Sequence, residues 1–184
     1  IPFAAPPIAN LRWRSPQPAK PWTKTLKTTA FRDACVQLSG PLDGLPDDSG
    51  AVVGNEDCLY LNIWSPRDNS SAIPDSLPVM VWIHGGGNTI GTANTYNASL
   101  LAGNEQVIVV TINYRLGFFG WMSHPALRTP DRDALDASGN YANLDMIAAL
   151  QWVSDNIANF GGDRNNVTIF GESAGGRNVF SLMA

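Results

Sequence analysis

The chain has 184 residues, of which 44% are hydrophobic and 15% are charged, and its formal charge at pH 7 is −4. A chain of this length and composition can bury the core of a single globular domain over residues 1–184. Its cationic residues are scattered rather than gathered into the basic stripe that nucleic-acid phosphates require, and no apolar run approaches the roughly 20 residues that cross a bilayer. We therefore expect neither nucleic-acid binding nor a membrane span.

The first segment, from Ile1 to Trp22, is rich in proline, with prolines at positions 2, 6, 7, 16, 18 and 21. Proline forbids regular helix, so this segment is predicted to be an extended strap on the surface. Cys35 and Cys58 then bracket a stretch rich in Gly, Pro and Asp. A loop closed by a disulfide in an oxidising compartment would explain this pattern, as would two buried free thiols.

Short apolar runs predict the strands of the core. They are Leu59 to Trp64, Pro78 to Ile83, Val107 to Ile112 and Val167 to Phe170. Three of these four runs are expected to be buried on both faces, as in a parallel sheet. A polar linker from Ser65 to Ser76 separates the first two runs.

One helix is predicted between the last two strands, from about Tyr141 to Asn159. Its apolar face consists of residues at steps of three and four: Leu144, Ile147, Leu150, Val153 and Ile157. The segment from Gly117 to Gly139 is irregular and predicts a long surface loop. Strands alternating with connecting helices favour an α/β fold with a largely parallel sheet.

The segment that indicates chemistry is Gly171-Glu172-Ser173-Ala174-Gly175, which directly follows the last predicted strand and precedes a predicted helix. A serine hydroxyl can stand at such a sharp strand-to-helix turn only if its neighbours are small, because larger side chains would collide as the chain reverses. The following helix would point its free N–H groups towards the site, which makes Ala174 N–H the natural first donor to an oxyanion. A glycine-rich turn without function is the alternative.

A second motif, His84-Gly85-Gly86-Gly87, follows the strand from Pro78 to Ile83. Without side chains, the backbone N–H groups of such a triplet can approach a tetrahedral intermediate. Each donor of this kind is typically worth about 10²- to 10³-fold in rate. The two motifs together predict one site for acyl transfer.

Ordered blocks along nearly the whole chain resemble the type-B carboxylesterases, the group that includes the cholinesterases. These blocks are Asn55-Glu56-Asp57-Cys58-Leu59-Tyr60-Leu61-Asn62-Ile63-Trp64, Pro78-Val79-Met80-Val81-Trp82-Ile83-His84-Gly85-Gly86-Gly87, Ile112-Asn113-Tyr114-Arg115-Leu116-Gly117 and Phe160-Gly161-Gly162-Asp163. The resemblance implies the N-terminal part of an α/β-hydrolase domain, with a largely parallel central sheet flanked by helices. It further implies a serine carboxylic-ester hydrolase that acts on a small-molecule ester. A disulfide between Cys35 and Cys58 would agree with a secreted, periplasmic or extracellular location.

The same resemblance assigns Ser173 as the nucleophile and Gly86, Gly87 and Ala174 as oxyanion donors. It implies a disulfide between Cys35 and Cys58, and structural ion pairs of Arg12 with Glu56 and of Arg115 with Asp145. Glu172 would lie at the floor of the site. No metal or organic cofactor is expected, because no cluster of His, Cys or carboxylate residues has the spacing of metal ligands.

The chain also departs from the family pattern. The family often has an aromatic residue after its glycine triplet, where Asn88 stands here, and a glutamine where Met146 stands. No aromatic residue lies between Cys35 and Cys58, where the cholinesterases have a tryptophan that binds quaternary ammonium groups. Choline esters are therefore disfavoured as substrates.

In this fold the triad acid and histidine follow the serine in chain order, and the sequence stops at Ala184. His84 and His124 are interpreted as structural, so the triad partners are expected downstream and residues 1–184 alone are expected to be inactive. Two alternatives remain open. One is a non-catalytic, cholinesterase-like adhesion or binding domain, and the other is a fragment that folds only with a second chain carrying the rest of the domain.

Overall fold

The computed structural model describes residues 1–42, 44–45, 49–66 and 76–184, so most of the predicted linker from Ser65 to Ser76 lies outside the described residues. The strands are β1 (Gln37–Leu38), β2 (Val52–Val53), β3 (Leu61–Trp64), β4 (Leu77–Ile83), β5 (Ile108–Ile112) and β6 (Gly162–Gly171). The helices are α1 (Ser99–Glu105), α2 (Gly117–Gly120), α3 (Tyr141–Asn156) and α4 (Ala174–Leu182). None of the helices within the described ranges is long and apolar enough to cross a bilayer.

The main sheet has the strand order β3-β5-β4-β6. Strands β5, β4 and β6 run parallel to one another, while β3 is antiparallel to β5 at one edge. Helices α3 and α4 pack against β6 and α1 packs against β5, so the sheet is flanked by helices. The predicted α/β architecture with a largely parallel sheet is confirmed.

The expectation that three strands are buried on both faces is wrong. Every residue of β5 is buried, but burial in β4 alternates between its two faces, and residues 164–168 of β6 are exposed. Strand β5 lies between two neighbours, whereas β6 has a neighbour only on its β4 side in the described part of the chain. An apolar run therefore predicted each strand without predicting how many sides of it are covered.

Helix α3 lies where it was predicted, and Val153 and Ile157 are fully buried as expected, but the first half of its buried face is different. The buried positions within it are Tyr141, Ala142, Asp145, Met146, Ala149 and Val153. Ile147, predicted to face the core, is 51% exposed, and Leu144 and Leu150 are only partly buried. The small alanine side chains on this face allow the helix to pack closely. The aspartate on the same face has a buried cation as its partner.

That partner is Arg115, whose side chain donates to both carboxylate oxygens of Asp145 at 2.7 and 2.8 Å. Both side chains are fully buried, and a buried ion pair of this kind is tolerated only when each charge is compensated. The predicted pairing of Arg115 with Asp145 is confirmed. The predicted pair of Arg12 and Glu56 is also present, with two hydrogen bonds between the side chains.

The N-terminal segment is extended apart from a 3₁₀ turn at Ala9–Leu11, and it forms isolated bridges from Pro2 to Tyr60 and from Ala4 to Pro18. The segment from Gly117 to Gly139 contains α2 and two further 3₁₀ turns rather than being wholly irregular. Arg14 holds the two segments together through Asp131 and Asp136. A disulfide joins Cys35 to Cys58, as the resemblance implies.

Candidate active site

Ser173 lies at the bend between β6 and α4, in a backbone conformation that non-glycine residues rarely adopt. Its φ is 54° and its ψ is −118°, and its side chain is exposed. Such a conformation costs about 1–3 kcal/mol and persists only where the surrounding structure enforces it. Here two hydrogen bonds hold the turn, from Gly175 N–H to Glu172 O at 2.8 Å and from Arg177 N–H to Ser173 O at 3.1 Å.

The glycines on either side of Ser173 are required by the end of β4. A Cβ atom on Gly171 would lie 2.6 Å from the carbonyl oxygen of Ile83, and one on Gly175 would lie 2.0 Å from the same atom. Both distances are shorter than real Cβ atoms tolerate. The sequence predicted that the neighbours of Ser173 must be small. In the structure, the carbonyl oxygen of Ile83 is the atom that requires this at both positions.

The glycine triplet lies directly against this bend. The parallel register pairs Ile83 with Gly171, so the segments that follow β4 and β6 leave the sheet side by side. A Cβ atom on Gly85 would lie 3.2 Å from Ser173 Cβ, and Gly86 and Gly87 have φ values of 93° and 62°. One cleft of about 610 Å³ is lined by Ser173 and by Gly85, Gly86 and Gly87.

The structure thus brings the predicted site residues together at one edge of the sheet. Ala174 is 2% exposed and does not line the cleft, but it directly follows Ser173 at the start of α4. Within the described ranges, no protein acceptor receives the N–H groups of Gly86, Gly87 or Ala174. Three amides from two neighbouring segments are therefore without a protein acceptor in that part of the chain. Their role as oxyanion donors stays a prediction.

Glu172 and Tyr96 contribute ionisable groups to this cleft. Both residues line it, and Glu172 is exposed rather than enclosed. Burial raises the pKa of Tyr96, and the charge of Glu172 raises it further. No group of three or more His, Cys, Asp or Glu side chains in the described part of the chain is arranged to hold a metal ion.

A second, largely apolar cleft of about 930 Å³ meets the first at Gly87. Its walls include Leu38 and Val52 from the loop closed by the disulfide and Phe118 and Phe119 from α2. The glycine triplet therefore lies between a cleft of mixed polarity beside Ser173 and a largely apolar one. Sequence reasoning did not identify this second space, because its walls come from four segments that are distant in sequence.

Neither histidine in the described part of the chain is placed to accept the proton of the Ser173 hydroxyl. His84 is 1% exposed, its Nδ1 lies 2.9 Å from the carbonyl oxygen of Gly85, and its ring stacks on Tyr114 with centroids 4.4 Å apart. His124 is exposed, and its Nδ1 accepts a hydrogen bond from Ala126 N–H at 3.2 Å. No hydrogen bond within the described ranges joins Ser173 Oγ to either ring.

Burial lowers the pKa of His84 to about 4 from an ordinary value of 6.5, and this predicts a loss of stability in acid. As the pH falls below 6.5 the unfolded chain takes up a proton at this residue, whereas the folded chain resists until about pH 4. The contribution of His84 is therefore complete above pH 6.5 and is lost on acidification. Between pH 7.5 and 4.5 the native protein should lose roughly 2–3 kcal/mol more unfolding free energy than His84→Gln.

Urea unfolding of the whole protein at the two pH values measures this difference. His124→Gln is the matched control, because it removes an exposed histidine and should lose as much stability as the native protein. Equal losses in the native protein and in His84→Gln would contradict the prediction.

Two polar residues near the triplet were missed by the sequence analysis. Tyr114 donates a hydrogen bond from its hydroxyl to His84 O at 2.6 Å, and Asn178 exchanges hydrogen bonds with Asn88. The position of Tyr114, just after β5, could have suggested it, because the ends of parallel strands meet at one edge. Nothing in the local pattern around Asn178 distinguishes it from an ordinary helical residue.

Comparison with known proteins shows similarity over the full chain. A family model described as the carboxylesterase family matches residues 1–184. Carboxylesterase 1C of Mus musculus is 47% identical over 189 residues, which cover 100% of this chain and 32% of that protein. Liver carboxylesterase 1 of Oryctolagus cuniculus is 46% identical over 194 residues, again covering 100% of this chain and 32% of that protein.

A solved structure named thermophylic PNB esterase superimposes with a TM-score of 0.86 at 41% sequence identity, covering 100% of this chain and 36% of that one. A structure named PNB esterase superimposes with a TM-score of 0.82, also at 41% sequence identity, covering 100% of this chain and 35% of that one. The chain thus spans about a third of the length of the relatives it matches.

Proposed function

This chain belongs to the carboxylesterase family, and from that premise we propose that the whole protein hydrolyses carboxylic esters through an acyl-enzyme formed on Ser173. The observation that carries the proposal is the strained, exposed conformation of Ser173, with φ 54°, in a cleft that it shares with Gly86 and Gly87. Strain of this kind is retained where function requires it, and presenting a nucleophilic hydroxyl is such a requirement.

Acylation begins when Ser173 Oγ attacks the ester carbonyl carbon while its proton passes to a histidine base. The carbonyl oxygen becomes an oxyanion and accepts hydrogen bonds from the N–H groups of Gly86, Gly87 and Ala174. Collapse of the tetrahedral intermediate breaks the bond to the alcohol oxygen, which leaves with the proton from the histidine. Water then attacks the acyl-enzyme with the help of the same base and releases the acid.

We assign the base to a histidine that follows Ala184 in the whole protein, with the triad acid also downstream. This order agrees with the chain order of serine, acid and histidine in the fold. His84 is unsuited because its buried ring is stacked on Tyr114, and His124 contacts its own loop. Residues 1–184 alone are accordingly expected to show almost no turnover.

The two clefts support a soluble ester with an apolar part as substrate. The ester group lies beside Ser173, and the apolar part extends past Gly87 along Leu38, Phe118 and Phe119. A choline head is disfavoured, because residues 36–57 contain no aromatic side chain for cation–π contact. The disulfide between Cys35 and Cys58 supports an extracellular or periplasmic location, where such bonds persist.

Labelling of the purified whole protein with a fluorophosphonate tests the proposal, because this reagent modifies activated serines. We expect one labelled peptide containing Ser173, and no label after Ser173→Ala. Ser181→Ala is the matched control in the same helix, since Ser181 is exposed and its hydroxyl bonds to Arg177 O, and it should label like the native protein.

A native protein that resists the probe would instead support a binding or adhesion domain. Label that persists in Ser173→Ala would show that another residue is the nucleophile. The intact mass of the labelled species distinguishes one long polypeptide from a fragment that is completed by a second chain.

A further inference from the structure

A reciprocal pair of amide side chains joins the glycine triplet to the helix that follows the nucleophile. Asn88 Nδ2 donates to Asn178 Oδ1 at 3.3 Å, and Asn178 Nδ2 donates to Asn88 Oδ1 at 2.9 Å. Asn88 directly follows Gly87, and Asn178 lies about one helical turn after Ala174 on α4. The pair therefore connects the two segments that carry the proposed oxyanion donors.

Both members of the pair are held in place. Asn178 is 3% exposed, and a buried amide without partners would cost free energy, so its hydrogen bonds to Asn88 are strongly favoured. Asn88 has a left-handed φ of 62°, and its carbonyl oxygen accepts a hydrogen bond from Gly117 N–H at 2.8 Å. The residue after the triplet is thus fixed through both its backbone and its side chain.

The start of the triplet segment is held by Tyr114. The Tyr114 hydroxyl donates to His84 O at 2.6 Å, and its ring stacks on the His84 ring. Burial raises the pKa of Tyr114, so its hydroxyl stays protonated as the donor of this bond. The segment from residue 84 to residue 88 is therefore held at both ends, by Tyr114 at His84 and by Asn178 at Asn88.

We propose that Asn88 and Asn178 are positioning residues that set the distance between the N–H groups of Gly86 and Gly87 on one side and of Ala174 on the other. This inference rests on the proposed esterase function. Donors from two independent segments can share one oxyanion only if those segments keep a fixed separation, and an error of about 1 Å at a catalytic group can cost roughly 10²-fold in rate. An aromatic residue, common in the family at position 88, could not form this pair.

Two single variants break the pair with little other change. Asn88→Gly removes the amide while tolerating the left-handed backbone, and Asn178→Ala removes it within a helix. With p-nitrophenyl acetate, we expect each variant of the whole protein to lose roughly 10- to 100-fold in kcat while KM changes less than about 3-fold, because a displaced donor weakens the transition state rather than substrate binding.

The affinity for a trifluoromethyl ketone, which forms a tetrahedral adduct with serine, should fall by the same factor as kcat/KM. The double variant should be no worse than either single one, because the pair acts as one unit.

Ser181→Ala should retain native kcat, and thermal unfolding of every variant checks that each is folded at the assay temperature. If Asn178→Ala does not fold, the Asn88→Gly variant alone still tests the positioning role, because Asn88 lies on a half-buried loop. Native kcat in folded Asn88→Gly, or a lower kcat with unchanged ketone affinity, would overturn the positioning role. If Ser173→Ala retained turnover, the proposed function itself would fail, so the two failures are distinguishable.

Discussion

Replacing Ser173 with alanine is expected to reduce hydrolysis of p-nitrophenyl acetate by the whole protein roughly 10⁵- to 10⁶-fold. The substitution deletes Oγ, the atom that would form the acyl-enzyme, and leaves only the amides of the glycine triplet and of Ala174 to act on the ester. Steady-state turnover measures the loss, and native gel mobility together with the unfolding midpoint show whether the fold is kept. Turnover within 10-fold of native would exclude Ser173 as the nucleophile.

Ser173→Gly is the informative companion to this variant, because it separates catalysis from strain. Both substitutions remove the hydroxyl, but glycine adopts φ 54° freely whereas alanine retains the strain of about 1–3 kcal/mol. The greater freedom of glycine in the unfolded chain offsets about 0.5–1 kcal/mol of this gain. We therefore expect Ser173→Gly to be inactive yet about 1 kcal/mol more stable than Ser173→Ala in urea unfolding. Equal stabilities would contradict a strained bend.

The parts of the fold that were predicted correctly depend on local requirements. Residues 108–112 are β-branched throughout, which predicts a strand whatever surrounds it, and β5 begins and ends there. The bend at Ser173 needs glycine at 171 and 175, and both requirements are visible within five residues of sequence. The two ion pairs came from the family resemblance, which also favoured a disulfide over two free thiols at Cys35 and Cys58.

The errors concern which surfaces are covered. The periodicity of α3 marked Ile147 as a core residue because apolar residues recur at helical spacing, yet the helix buries Asp145 and two alanines instead. The pairing of Asp145 with Arg115 and the close packing of Ala142 on Gly120 favour this orientation. Neither effect contributes to a hydrophobic period, so the sequence pattern was right for Val153 and Ile157 but misplaced the buried face in the first half of the helix.

The amide pair of Asn88 and Asn178 could not have been predicted from either residue alone. The two positions are 90 residues apart, and only the parallel register of β4 and β6 brings the segments after these strands together. The departure of Asn88 from the family pattern was visible in the sequence. Its hydrogen-bond partner, Asn178, is identified only by the structure.

The same close approach of α4 to the end of β4 predicts opposite effects for two adjacent glycines. A Cβ atom on Gly175 would lie 2.0 Å from Ile83 O and 2.8 Å from His84 O, so Gly175→Ala must push the helix away from the strand. We expect a loss of about 3 kcal/mol or more in unfolding free energy. Because Ser173 and Ala174 move with the helix, kcat/KM should fall by at least about 10²-fold.

Gly176→Ala is the matched control one residue further along α4. Its Cβ atom would lie 3.4 Å from the nearest atom, Gly171 O, which is ordinary van der Waals contact. Alanine is favoured over glycine within a helix by about 0.5–1 kcal/mol, so this variant should be slightly more stable than the native protein and keep kcat/KM within about 2-fold. Urea unfolding and ester kinetics of the two variants measured together test the packing directly. If both substitutions had the same effect, contact with the end of β4 could not be what requires glycine at position 175.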